Sequence, residues 1–349
     1  MLNIKQLQFL VLITLGIACK PAPPTYQLTG QNTKTNALLI GLHAINEQIV
    51  WASGTNSTVI RTLDGGQAWE QYQLAREDSL QFRDIHGIDT NNAIVLSIGE
   101  GPASRIYHFN TQTGWSENFR MADSAGFLDA FDFWSNGYGI AYGDAIDSIP
   151  YILKTEDWGN TWERITGANM PKAGKGEGGF ASSGTCVITG KKGKVWIGTG
   201  AGGNARMLFS ADYGSSWQSF KTPMVKGDAA GITTVRFDGN VGIIAGGDLT
   251  KSQEWSENLF WTDTNGKSWY PLPQPKTPGA FYGSGFAKIN GSYVSLVCGP
   301  EGADLSMSLG EQWVKISPDD LWTATLLPSG TGWIAGKGGN MLRIDVAPK

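Results

Sequence analysis

Three carboxylates sit in glycine-rich stretches that suit loops: Asp144 in Gly143-Asp-Ala-Ile-Asp-Ser148, Glu177 in Gly174-Lys-Gly-Glu-Gly-Gly179, and Asp248 in Gly246-Gly-Asp-Leu-Thr-Lys251. Brought to one mouth, they could serve as acid and base in glycoside hydrolysis, which needs such groups about 5–10 Å apart across a sugar. The alternative chemistry is local, with each carboxylate capping backbone donors of its own loop. Arg83, Asp84, Asp129, Ser182 and Tyr282 are further ligand-binding candidates, and Trp134, Tyr282 and Trp255 could offer aromatic platforms.

Other chemistries find less to work with. The three histidines, His43, His86 and His108, share no zinc-type spacing with cysteine, so no metal is expected. Ser182-Ser183 lacks the Gly-x-Ser-x-Gly elbow of a serine nucleophile. Gly198-Thr-Gly-Ala-Gly-Gly203 satisfies G-x-G-x-x-G after a strand, as an oxidoreductase would require. A dinucleotide site needs a helix next, and Asn204-Ala-Arg-Met-Leu-Phe-Ser210 reads as a strand. No cofactor is expected.

The elements that must position these residues are announced by a repeated turn. Thr62-Leu-Asp-Gly-Gly-Gln-Ala-Trp69 recurs as Thr155-Glu-Asp-Trp-Gly-Asn-Thr-Trp162 and Ser210-Ala-Asp-Tyr-Gly-Ser-Ser-Trp217. Weaker copies end at Trp269 and Trp313, and a shortened one at Trp115. Thr62 and Asp64, with their counterparts Asp157 and Asp212, can bond nearby backbone donors, and Gly66 can take φ > 0. Trp69, Trp162 and Trp217 then open the following strands. The closing tryptophans are 44 to 55 residues apart, the period of a four-stranded β-propeller blade. A second landmark, a strand ending in small residues, occurs seven times from Ile49-Val-Trp-Ala-Ser-Gly54 to Gly332-Trp-Ile-Ala-Gly336. The seventh unit lacks its outermost strand, and Tyr26-Gln-Leu-Thr29 is spare. The expected fold is therefore all-β: one seven-bladed β-propeller over 26–349, its ring closed by an N-terminal strand that completes the last blade.

The turn pattern Ser/Thr-x-Asp-x-Gly-x-x-Trp resembles the Asp-box of bacterial neuraminidase-type repeats. The fuller unit, seen in Arg61-Thr-Leu-Asp-Gly-Gly-Gln-Ala-Trp69, resembles the propeller family of photosystem II stability/assembly factors. Gln81-Phe-Arg-Asp-Ile85, Phe127-Leu-Asp-Ala-Phe-Asp-Phe133, Gly176-Glu-Gly-Gly-Phe-Ala-Ser-Ser-Gly184 and Gly246-Gly-Asp248 look like a bacterial lipoprotein branch of it. The resemblance spans residues 30–345 and implies a binding or assembly role for a protein partner. A sialidase would need an arginine in an Arg-Ile-Pro context, and no arginine here is followed by Ile-Pro. A hydrolase or binder of neutral glycans, using Asp144, Glu177 and Asp248, is the alternative.

Propeller topology puts the Asp-box turns on one face and the longer loops on the other, so function is expected on the face opposite the turns. A formal charge of −4 without basic runs disfavours nucleic acid as a partner. Residues 1–18, with Lys5 before the apolar run Phe9–Ala18, read as an export signal. Leu15-Gly-Ile-Ala-Cys19 resembles a lipobox, with plain secretory cleavage as the alternative. The expectation is a monomeric exported bacterial lipoprotein, periplasmic or outer-membrane associated. It would be lipidated at Cys19, followed by a Pro-rich tether at 19–25, and touch the membrane through that lipid alone. Cys186 and Cys298 fall in different repeats and are expected to be free buried thiols.

Overall fold

The computed structural model describes residues 25–74, 80–167, 169–255 and 257–346. The expected export signal, Cys19 and all but the last residue of the expected tether lie outside them. The described residues form seven antiparallel sheets of four strands each. From the axis outwards, the first blade is Leu39–Ala44, Val50–Gly54, Thr58–Thr62 and Glu70–Gln73. Its first three strands are almost wholly buried, whereas Glu70–Gln73 is mostly exposed. A sheet covered on both faces calls for continuous apolar runs, and an outer strand tolerates polar residues. The inner strands of blades 2 to 7 are Gln81–Gly87, Leu128–Phe133, Val187–Gly190, Ala230–Asp238, Gly283–Ile289 and Leu321–Leu326.

Tyr26–Gly30 is the outermost strand of the seventh blade, running antiparallel to Met341–Val346 with Tyr26 opposite Val346 and Gly30 opposite Leu342. The ring is closed by pairing between chain ends. This leaves no open end to the array.

Each apolar core lies between neighbouring blades. One packs Trp69, Ile60 and Ala52 of blade 1 against Trp333, Ala335 and Met341 of blade 7. Another joins Trp51 and Val59 to Phe82, Val95 and Phe109 of blade 2, and five more continue round the ring. Cys186 and Cys298 are buried in separate cores as free thiols.

The repeated turns link the third and fourth strands of their blades through one hydrogen-bond pattern. Thr62 Oγ1 donates to Asp64 Oδ1 (2.8 Å) and accepts from Gly66 N (2.9 Å), while Asp64 Oδ1 accepts from Ala68 N (2.9 Å). Thr155/Asp157/Gly159/Thr161 and Ser210/Asp212/Gly214/Ser216 repeat it. In the weaker copy Thr264 replaces the carboxylate and still accepts from Ser268 N (2.9 Å). Gly65 and Gly66 both have positive φ, 72° and 96°, which glycine adopts without a Cβ penalty. The bond from Ala68 N, then that from Thr62, holds the Asp64 carboxyl below its ordinary range.

Trp69 is 4% exposed and seals the core between the first and last blades. Trp69→Ala is expected to cost about 3–5 kcal/mol, as truncation of large buried aromatics does. Urea denaturation followed by tryptophan fluorescence measures this. Deleting Tyr26–Gly30 exposes the edge of the last blade, and size-exclusion chromatography should then show more self-association than the full chain does.

Candidate functional site

In each blade the inner strand runs from the face opposite the turns, here the loop face, towards the turn face. Five inner strands carry a register irregularity near their loop-face start, where one residue is left out of the ladder. The skipped residues are Ile40, Arg83, Asp129, Thr233 and Trp322. A bulge re-aims a side chain. Three of these side chains, Arg83, Asp129 and Trp322, line one pocket of about 350 Å3 at the loop-face end of the channel.

The floor of that pocket is a strand-free segment, Gly178–Thr185, that crosses the channel. Within its own blade, Gly178 exchanges backbone hydrogen bonds with Gly200 (3.0 and 2.9 Å). Gly179 N donates to Asp144 Oδ1 of blade 3 (3.1 Å), and Arg83 Nη1 of blade 2 donates to Ala181 O (3.0 Å). Ser183 Oγ donates to Tyr282 O beside blade 6 (2.6 Å), and Thr323 Oγ1 of blade 7 donates to Ser183 O (3.3 Å). Thr185 Oγ1 donates to Thr234 Oγ1 of blade 5 (2.7 Å). A fourth-blade segment that reaches the seventh must pass the axis, so the channel is plugged. The glycines are required by close approach: a Cβ at Gly179 would collide with the Asp129 carboxylate, and one at Gly184 with that of Asp84.

The pocket combines aromatic walls with under-used polar atoms. The Arg83 guanidinium lies 5.4 Å from the Trp322 ring centre, and Tyr282 meets Trp322 edge-on at 4.9 Å. Asp129 is 1% exposed. Among the described residues its Oδ2, the Ser182 Oγ and the Arg83 Nε have no hydrogen-bond partner. Burial, then the neighbouring Asp144 charge, pushes the Asp129 carboxyl well above its usual range, against the contact with Gly179. Burial likewise raises Asp144 and lowers Arg83. The site thus offers the Asp129 carboxyl, a hydroxyl and a stacked guanidinium between Phe127, Phe180, Leu249, Tyr282 and Trp322.

Of the sequence candidates, Arg83, Asp129, Asp144, Ser182 and Tyr282 share this pocket. The others do not join them. Asp84 faces the other side of the plug, where its carboxylate accepts from Ile85 N and Phe131 N (both 2.8 Å) and ties blade 2 to blade 3. Glu177 is 3% exposed, with Oε1 accepting from Arg206 Nε (2.6 Å) and Oε2 from Gly174 N (2.7 Å). Asp248 Oδ1 accepts from Thr250 N (3.0 Å) and Oγ1 (2.6 Å), bonds that depress its carboxyl. Trp134 is buried with its Nε1 bonded to Gly190 O (2.9 Å), and Trp255 is exposed at the rim. Gly198–Gly203 joins strands Lys194–Gly198 and Arg206–Ser210 as a hairpin.

Sequence reasoning missed Trp322, Phe180 and Leu249. Trp322 was findable by aligning the inner strands, because Leu321-Trp322, Phe82-Arg83 and Leu128-Asp129 occupy one place.

No protein-family model matches the chain, and no curated protein sequence matches it. Its fold is shared with solved propellers. YCF48 bound to a D1 peptide superposes with a TM-score of 0.63 at 16% identity, over 93% of this chain and 97% of that one. YCF48 from Cyanidioschyzon merolae gives 0.62 at 15%, over 90% and 98%. A streptogramin B lyase gives 0.61 at 12%, over 92% and 98%. At these identities the likeness is one of fold, and one fold hosts unlike functions.

The raised Asp129 carboxyl has a signed consequence. Its contribution to stability is full below the unfolded value near pH 4 and is lost as pH rises towards the folded value. Asp129→Asn should therefore raise the melting temperature more at pH 7.5 than at pH 4.5. Equal shifts at both, read by calorimetry, would contradict a buried neutral acid.

Proposed function

We propose that this chain is a binding scaffold whose loop-face pocket takes a segment of a protein partner. One observation carries the reading: bulge residues of three blades converge with the plug to form a pocket with aromatic walls and unsatisfied polar atoms. Peptide groups supply both donors and acceptors, and aromatic walls take their apolar side chains. The resemblance of the repeat unit to the photosystem II stability/assembly factors supports this. So does the shared fold with YCF48, one structure of which is described as bound to a D1 peptide.

The hydrolytic alternative finds less support. Both Glu177 oxygens are engaged, one by Gly174 N and one by Arg206 Nε, and Asp248 caps its own turn. Asp144 alone of the three lines the pocket, and the second carboxyl there, Asp129, is 1% exposed and pressed against Gly179 of the plug.

Chain direction adds an orientation. Tyr26 lies opposite Val346 at the turn-face end of the last blade. With Cys19 as the lipid-modified residue of an exported lipoprotein, the tether over 19–25 spans at most ~25 Å. It would hold the turn face to the membrane and present the pocket away from it.

Selection of a random peptide library on the full chain tests the reading. Enriched peptides should bind at least about tenfold more weakly to Trp322→Ala and to Arg83→Ala, the usual range for a central aromatic or arginine contact. Peptides indifferent to both variants would sink it. Hydrolysis of a chromogenic glycoside that disappears in Asp144→Asn would put the alternative in its place.

A further inference from the structure

The plug leaves a second blind space, of about 330 Å3, at the turn-face end of the channel, with Gly184 and Thr185 forming part of its wall. The remaining wall comes from the second halves of the inner strands, including His43, His86, Asp132 and Arg236. We propose that this cup binds a small organic anion, an oxyanion head on an apolar body.

The argument rests on which polar groups are already committed. Asp132 Oδ2 accepts from Thr189 N (2.7 Å) and Oγ1 (2.9 Å). Its Oδ1 accepts from Phe133 N (2.9 Å) and lies 3.6 Å from His86 Nδ1. Asp84 accepts two backbone N–H groups. His43 stacks on His86 at 4.1 Å, and its Nδ1 accepts from Gly87 N (3.0 Å). A neutral His43 therefore carries its proton on Nε2. Arg236 is held by carbonyls, Nε donating to Ser284 O (2.8 Å) and Nη2 to Ala324 O (3.0 Å). Among the described residues it forms no ion pair, although Asp132 and Asp84 are near enough to act on its charge.

A half-buried guanidinium held by neutral carbonyls, with no carboxylate bonded to it, is favoured by an anion that completes it. The uncommitted hydrogens facing the cup, on Arg236 Nη1 and His43 Nε2, are donors, which suits an oxyanion and not a cation. Leu42, Phe131, Phe286 and Leu326 supply an apolar wall for the ligand body. The volume is at the small end of ligand pockets, roughly 300–1,000 Å3. The approach is cationic as well. An outer cavity of about 500 Å3 shares Phe133, Thr189 and Phe237 with the cup and carries Lys191 and Lys192, against one carboxylate, Asp238. Among the described residues no three His, Cys, Asp or Glu side chains cluster as a metal-ligand set.

The chain has three histidines, so its histidine ring proton spectrum is sparse enough to report the site directly. The full chain is titrated with benzoate and phenyl phosphate, with neutral benzamide as the control. His43 and His86 should shift saturably with at least one anion, while His108, in the third strand of blade 2, stays still and benzamide has no effect. Isothermal titration should show binding at least about tenfold weaker in Arg236→Gln, the usual range for losing a charged hydrogen bond. Arg83→Ala, beyond the plug, should bind as wild type does. No saturable shift with either anion, an equal shift with benzamide, or unchanged affinity in Arg236→Gln overturns the proposal. Because Arg236 also ties blade 5 to blades 6 and 7, a variant that fails to fold leaves the wild-type histidine titration to decide.

Discussion

Closure of the ring is the constraint from which the rest of the structure follows. Each apolar core lies between two blades, so an open array would leave one face of its first and last sheets without a partner. The five residues Tyr26–Gly30 complete the last sheet, and two further ties pull the ends of the ring together. Arg343 Nη1 donates to Gly65 O in the first blade's turn (2.8 Å), and Gly339 N donates to Ala37 O (2.7 Å). The first blade's turn thus also offers, at Gly65 O, the point where the last blade takes hold of the first, which explains why that turn matters although it touches neither cup.

Within the closed ring, the same small departure from regular pairing recurs near the start of the inner strands and becomes useful because the strands converge. A skipped residue on an isolated sheet would point into solvent. On inner strands around one axis, Arg83, Asp129 and Trp322 point into a shared space. The plug then turns that space into a site, since its carbonyls and hydroxyls give the inward-facing polar groups something to hold. Asp84, Asp132 and His43 perform the complementary task, each accepting a backbone N–H from the next blade. The polar groups of the channel are therefore divided between those that fasten neighbouring blades and those left over.

The architecture was legible in the sequence because a period near 50 residues, fixed by Gly and Trp at constant offsets, admits few folds. The spare strand at Tyr26–Gly30 and the incomplete seventh unit also implied how the ring closes. The sites were less legible for two physical reasons. Whether a loop carboxylate faces a ligand depends on partners distant in sequence: Glu177 is claimed by Arg206, and nothing around Glu177 announces it. Second, a bulge is a property of paired strands. Trp322 therefore reads as one more packing tryptophan until its register is known. The sequence also directed attention to the loop face alone, whereas Arg236, on the far side of the plug, is held by two carbonyls and by no carboxylate.

Because Gly178–Thr185 is a partition between two chambers, a ligand in either leaves by the mouth it entered. The partition is thin. Ser182 faces one chamber, and Gly184 and Thr185 line the other. An occupant that shifted this segment on one side would alter affinity on the other by a factor that is necessarily the same in both directions. The geometry makes the two faces of the ring thermodynamic neighbours while keeping their contents apart.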